Sequence, residues 1–158
     1  MVDMTVFGEG GHGAAPHTTK DPIVLSAQMI MDFQTVVSRE INPLEPAVVT
    51  VGSIHGGTVH NIIPDEVKLQ LTLRFYSEEI RKQTIAALHR ISKNLALAAG
   101  LPVEKIPVIK IRDPYIPATI NDVPLTKRVV DVFSKNFGKE NVVEMPLYMF
   151  GEDFSRFG

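Results

Sequence analysis

The stretch Val67-Lys68-Leu69-Gln70-Leu71-Thr72-Leu73-Arg74-Phe75 decides the fold. Apolar and polar residues alternate along its whole length, the pattern of an extended strand with one buried and one wet face. A sheet with one apolar face needs a layer of helices on it, and a helical pattern lies on either side of the strand. Ahead of it, Asp21 is a good cap and Pro22 a good first residue for a helix. Ile23, Ala27, Ile30 and Val37 then fall on one stripe, with Val24 and Met31 beside it. Gln34 interrupts that stripe and is expected to be a partly buried amide with a backbone partner. This helix is expected to end near Ser38-Arg39-Glu40, before Asn42-Pro43. Behind the strand, Ser77 caps a second helix with Glu78 and Glu79 in its positive first turn. Its stripe is Ile80, Ala87, Leu88, Ile91, Leu95 and Ala98, and Gly100 ends it.

Residues 2–8, the β-branched run 47–54 and residues 103–112 read as further strands. The order β-α-β-β-α-β predicts an α+β, ferredoxin-like sandwich: a four-stranded antiparallel sheet with two helices on one face. That domain is expected to cover residues 1–112. Asp113-Pro114-Tyr115-Ile116-Pro117 reads as a linker. Asp122 then caps a third helix with apolar Leu125, Val129, Val132 and Phe133, ended by Gly138, and Val142-Val143-Glu144 reads as a short strand. These pieces are too few to bury a core. Residues 113–158 are expected to be a partial α/β segment, the start of another domain, as if the chain were cut from a longer one.

Composition narrows the function classes. Hydrophobic content of 44% with 22% charged residues is that of a globular domain with a real core. The net charge of −2, without a long basic run, argues against a nucleic-acid partner. No apolar run approaches a membrane span, and Met1-Val2-Asp3 does not open a signal peptide. The absence of cysteine removes disulfides and cysteine-bound zinc and fits a reducing cytosol, so a cytoplasmic location is expected.

The chemistry is concentrated in Gly8-Glu9-Gly10-Gly11-His12-Gly13-Ala14-Ala15-Pro16-His17-Thr18-Thr19-Lys20-Asp21-Pro22. Gly8-x-Gly10-x-x-Gly13 follows a strand and matches the dinucleotide fingerprint, but the fingerprint requires a helix to open at the glycines. Here Pro16 and Asp21-Pro22 delay the helix, and Asp32 falls inside it rather than at the end of a second strand. His12 and His17 make a poor metal pair, since Pro16 argues against a shared helix face and no cysteine or acidic cluster completes a site. A third reading has His12 held by glycines as a hydrogen-bond donor to a substrate. On residue types alone, a glycine loop with a solvated histidine remains the plainer choice.

Taken together, the motifs resemble the lid domain of the dinuclear zinc amidohydrolases and peptidases, the family of aminoacylase, hippurate hydrolase, indole-3-acetyl-amino-acid hydrolase, carboxypeptidase G and succinyl-diaminopimelate desuccinylase. The match runs in order through Gly10–His17, Asp21-Pro22, Gln34, Ser38-Arg39-Glu40, Val49-Thr50-Val51-Gly52, Gly56-Gly57, Asn61-Ile62-Ile63-Pro64-Asp65, Leu73-Arg74, Met149 and Gly151-Glu152-Asp153-Phe154. It spans nearly the whole chain and is nearest to the branch that cleaves N-acyl amino acids. Phe150 departs from the small residue common at its position.

The resemblance implies a lid followed by a short return into a catalytic domain. It implies two divalent metal ions, expected to be zinc, held by residues of that catalytic domain, and none in this chain. On its own the chain is then expected to be inactive. The resemblance also implies a homodimer through the lid and a small N-acyl amino acid or peptide as substrate. His12 matches a lid histidine that reaches into the partner's active site and donates to the oxyanion of the tetrahedral intermediate. Asn61 matches a substrate contact, and Arg74 an arginine that clamps the substrate carboxylate. A carboxylate prefers arginine's planar fork to a lysine point charge, and Arg74 lies on the polar face of its strand. His17, His55, His60 and His89 are read as ordinary surface or structural residues. Two other classes remain open. A ferredoxin-like regulatory module that binds a small molecule would need no Gly-Asp-Phe tail. A ferredoxin-like RNA binder would carry aromatics on its polar sheet face, where this strand has Lys68, Gln70, Thr72 and Arg74.

Overall fold

The computed structural model describes residues 1–151 and 154–156. The chain divides into two compact units, Met1–Tyr115 and Ile116–Gly158.

The first unit carries six strands and two long helices. In chain order they are β1 (Val2–Phe7), β2 (Gly11–His12), α1 (Pro22–Thr35), β3 (Ala47–Gly56), β4 (Ile62–Ile63), β5 (Glu66–Phe75), α2 (Glu78–Ala98) and β6 (Val108–Ile111). The main sheet has the order β3-β5-β1-β6, and every neighbouring pair is antiparallel. This is the ferredoxin-like arrangement anticipated from the alternation in β5. The main addition is the ribbon β2–β4, two residues a side, which patterning cannot show at that length.

Burial follows the pleat. Val2, Met4 and Val6 of β1 and Val67, Leu69 and Leu71 of β5 point into one core with both helices. Asp21 Oδ1 accepts the Ile23 and Val24 N–H groups at 2.8 and 3.3 Å, and Ser77 Oγ accepts the Ile80 N–H at 3.2 Å, so both expected caps start their helices. Gly100, at φ +78°, follows the end of α2 in the left-handed region that glycine tolerates.

The inward face of α1 differs from the expected stripe. Leu25, Met29 and Phe33 face the sheet, flanked by Pro22 and Ser26 and continued by Val36. Ile23, Val24, Ala27 and Met31 point outward, while Ile30 and Val37 are half-buried against the core. The helix is apolar on two faces, and the periodicity singled out the outer one. A π-type turn over Val36–Glu40, closed by the Ile41 N–H on the Val36 carbonyl at 3.0 Å, ends it. Gln34 is exposed rather than partly buried, although its Nε2 does donate to the Ile30 carbonyl at 3.3 Å. In α2 the inner face includes Thr84, Ser92 and Ala96, and Ala98 is exposed. The last strand is shorter than residues 103–112, because Val103–Lys105 form a 3-10 turn between Pro102 and Pro107.

A polar chain crosses the helix-free face of the sheet. Ser53 Oγ donates to Gln70 Oε1 at 3.0 Å, and Gln70 Nε2 donates to Asp3 Oδ1 at 3.1 Å. Arg112 then grips both carboxylate oxygens of Asp3, at 2.6 and 2.8 Å. The Arg112 guanidinium, helped by Gln70, holds the Asp3 carboxyl at about 2, below its ordinary 3.8. What this network adds to stability is therefore present above the ordinary carboxylate range and is lost as pH falls through about 2.

In the second unit, Asp122 caps α3 (Val123–Phe137) by accepting the Leu125 N–H at 2.7 Å, and Gly138 ends it as expected. Val142–Glu144 form no strand; a 3-10 turn at Lys139–Asn141 precedes an irregular segment. No residue of α3 is buried, and its apolar residues, among them Leu125, Val129, Val132 and Phe133, remain uncovered.

Phe33 is fully enclosed. Phe33→Ala is expected to lower the unfolding free energy by about 3–5 kcal/mol in urea titration. A change below about 1 kcal/mol would mean that this face of α1 does not sit in the core.

Candidate functional site

The site grows from the end of the β1–β5 ladder. Pairing runs from Val2↔Leu71 to Phe7↔Glu66, which brings Gly8 beside Asp65. The Gly8 N–H donates to the Asp65 carbonyl at 2.7 Å, and the Gly10 N–H donates to Asp65 Oδ1 at 2.9 Å. Beyond them Gly11 pairs with Ile63 and His12 with Ile62, and the Gly13 N–H reaches the Asn61 carbonyl at 2.8 Å. The histidine loop thus lies against Asn61–Asp65 along its length. The glycines serve this close approach rather than a phosphate: a Cβ on Gly10 would stand 2.7 Å from the Ile63 carbonyl oxygen. On the other side of the loop, Glu9 and Lys20 exchange backbone bonds of 2.9 Å, and Lys105 Nζ donates to the Gly8 carbonyl at 2.9 Å.

His12 is exposed, and its Nδ1 accepts the Ala14 N–H at 3.1 Å. With Nδ1 acting as acceptor, a neutral ring carries its proton on Nε2. The loop therefore presents one directed N–H donor. Asn61 is exposed on the adjoining segment. A concavity of about 410 Å³ is lined by Gly13, Asp21, Ile23, Thr58, His60 and Asn61 among others. A neighbouring one of about 360 Å³ shares Gly56, Gly57 and Thr58 and adds His55 and Lys68.

The structure brings His12 and Asn61 together but not Arg74. Arg74 is half-buried near the far end of β5, opposite Val48 of β3. It stands eight residues beyond Glu66, about 26 Å along the strand at roughly 3.3 Å per residue. His17 is exposed in the 3-10 turn Pro16–Thr18, and His89 is exposed on α2. Among the described residues, no three His, Asp or Glu side chains gather as a metal would require. Glu152 and Asp153, within the Gly151–Phe154 motif, lie outside the described residues. Sequence reasoning gave no role to Asp65, nor to Thr58 and His60 beside Asn61. The available signal for Asp65 was its place at the start of the alternating strand, where antiparallel pairing puts it against the residue that leaves β1.

The fold defines an α+β module, and comparison with known proteins assigns it to a family. Residues 1–99 match the family model of the peptidase dimerisation domain, and the chain belongs to that family. It is 35% identical over 154 residues to thermostable carboxypeptidase 2 of Saccharolobus solfataricus, covering 98% of this chain and 37% of that protein. It is also 35% identical over 154 residues to the N-acetyldiaminopimelate deacetylase of Lactococcus lactis, covering 97% and 39%. A solved structure described as an aminohydrolase from methicillin-resistant Staphylococcus aureus superimposes with a TM-score of 0.83 at 30% identity, over 99% of this chain and 39% of that one. The chain thus spans well under half the length of these relatives. Membership of a dimerisation-domain family implies self-association, and no helix among the described residues is long and apolar enough to cross a membrane.

The Ala14–His12 contact predicts the Nε2–H tautomer. Long-range ¹⁵N–¹H correlation spectra of the neutral ring should show Nδ1 unprotonated. A protonated Nδ1 would rule out the geometry described for this loop.

Proposed function

We propose that this chain is the lid of a metal-dependent amidohydrolase that cleaves the amide bond of N-acyl amino acids or small peptides. The observation that carries the reading is the His12 ring, whose Nδ1 is engaged by the Ala14 N–H while Nε2–H is left to donate, on a loop tied to Asn61 in a peptidase dimerisation domain. Water attack on an amide carbonyl places negative charge on its oxygen. A fixed N–H donor about 3 Å from that oxygen stabilises the transition state more than the ground state. Asn61 adds a second polar contact to the substrate, and Arg74 takes its carboxylate. The names of the relatives, a carboxypeptidase and a deacetylase of an amino acid, support this substrate class.

One protomer holds His12 and Arg74 at opposite ends of β5, so a site that uses both draws them from two copies of the chain. A homodimer supplies this. The outward stripe Ile23, Val24, Ala27 and Met31 on α1, together with the ten-residue edge strand β3, offers an apolar and hydrogen-bonding surface for the second copy. Residues 113–158 are assigned to the return into the catalytic domain, in line with the uncovered apolar face of α3. Two divalent metal ions, zinc by resemblance, belong to that domain. Among the described residues no cluster would hold such a centre. The cysteine-free sequence suits a cytosolic enzyme.

Met31→Asp is expected to leave the fold intact and convert a dimer to a 17.5 kDa monomer in sedimentation at micromolar concentration. A parent chain that is itself monomeric would remove α1 as the interface.

In an enzyme carrying this lid with its metal domain, His12→Ala should lower kcat by roughly 10²–10³ with little change in KM. Arg74→Ala should mainly raise KM, by about 10- to 150-fold for a charged hydrogen bond worth about 1.5–3 kcal/mol. Mixing the two variants should restore activity, since each heterodimer then contains one site with both residues intact. Heterodimers that form and stay inactive would sink the two-protomer arrangement.

A further inference from the structure

We propose that Asp65 is a positioning residue that sets the height and direction of His12; this rests on the reading of His12 as the oxyanion donor. The ribbon that carries His12 pairs only Gly11 with Ile63 and His12 with Ile62, and a ladder this short does not hold itself in water. Its placement depends on what grips the chain before it. Asp65 grips it twice. Its carbonyl accepts the Gly8 N–H at 2.7 Å, continuing the β1–β5 ladder by one bond. Its carboxylate accepts the Gly10 N–H at 2.9 Å, two residues ahead of His12. The first contact fixes where the loop leaves the sheet. The second, a charge-assisted bond from a side chain, fixes the angle at which it leaves.

The surroundings leave little alternative. A Cβ at Gly10 would lie 2.7 Å from the Ile63 carbonyl oxygen and 2.9 Å from Asp65 Oδ1, so the backbone can take this bond only because residue 10 is glycine. Lys105 Nζ holds the Gly8 carbonyl from the opposite side at 2.9 Å and Lys20 holds Glu9 by two backbone bonds of 2.9 Å, while the Gly10 N–H bonds to the Asp65 carboxylate. Asp65 is exposed. Removing its carboxylate lets water reach the Gly10 N–H, so global stability changes little and the loss falls on the order of the loop.

Amide hydrogen exchange in the 158-residue chain reads that order directly. Asp65→Ala is expected to speed exchange at Gly10 and Gly13 by about tenfold or more and to shift the His12 ring signals, with the β1–β5 amides unchanged. Asp65→Asn keeps an oxygen acceptor and is expected to stay within about threefold of the parent. Gly10→Ala, whose methyl would meet both the Ile63 carbonyl and this carboxylate, should speed exchange at positions 10 and 13 at least as much as Asp65→Ala. In an enzyme carrying this lid with its metal domain, Asp65→Ala should lower kcat by about tenfold or more with KM within about twofold, and Asp65→Asn should recover most of the loss. The double variant His12→Ala/Asp65→Ala should be no slower than His12→Ala alone, since both changes remove the same donor. Unchanged exchange at Gly10 and Gly13 in Asp65→Ala overturns the proposal whatever the enzyme does. So do kcat losses that multiply in the double variant. If His12→Ala leaves kcat untouched, it is the reading of His12 that fails, and the exchange measurements still decide whether Asp65 holds the loop.

Discussion

The antiparallel ladder between β1 and β5 is the constraint on which the rest of the first unit depends. Its register buries Val2, Met4 and Val6 on the same side as Leu71, Leu69 and Val67. A slip of either strand by one residue would turn its three core residues toward the wet face. The same register aligns Asp3 with Gln70 on the opposite face, which lets the Ser53–Gln70–Asp3–Arg112 chain cross from β3 to the end of β6. It also delivers Gly8 to Asp65 at the end of the ladder, and from that point the histidine loop is placed. Core, polar face and candidate site are three consequences of one pairing.

Much of the fold was legible because β5 is half-buried and long. Alternation over Val67–Phe75 leaves no competing helical reading, and the caps at Asp21 and Ser77 mark where the helices begin. The sequence misled where burial is not the only source of hydrophobic pattern. In α1, Ile23, Ala27 and Met31 recur every four residues as regularly as Leu25, Met29 and Phe33. Periodicity cannot say which stripe faces the sheet and which faces away from it. The β-branched run at Val142-Val143 failed for the opposite reason: the described residues offer it no partner strand, and propensity alone does not make a ladder.

The candidate site was legible in its residue types more than in its geometry. His12, Asn61 and Arg74 were named from motifs, and a motif records order along the chain, not distance in space. The structure joins His12 to Asn61 through Gly13 because both loops leave the sheet at the same end. It places Arg74 near the other end of β5, a gap that follows from the strand's length rather than from the motifs that named the residues. Asp65 went unassigned because its role is to the backbone of Gly8 and Gly10, and a carboxylate that serves a main-chain N–H looks in sequence like any surface aspartate.

That separation along β5 gives the lid a particular logic. On the proposed reading, a strand with the His12 loop at one end and Arg74 near the other cannot close on a small substrate by itself, since about 26 Å of extended backbone exceeds the span of an acylated amino acid. A twofold axis resolves the mismatch, because it can set the loop end of one copy against the arginine end of the other. The outward stripe of α1 and the open edge of β3 are then more than a means of association. In the proposed dimer they would fix the distance between the two half-sites, so that errors in the interface would become errors of site geometry, where a displacement of about 1 Å already costs rate.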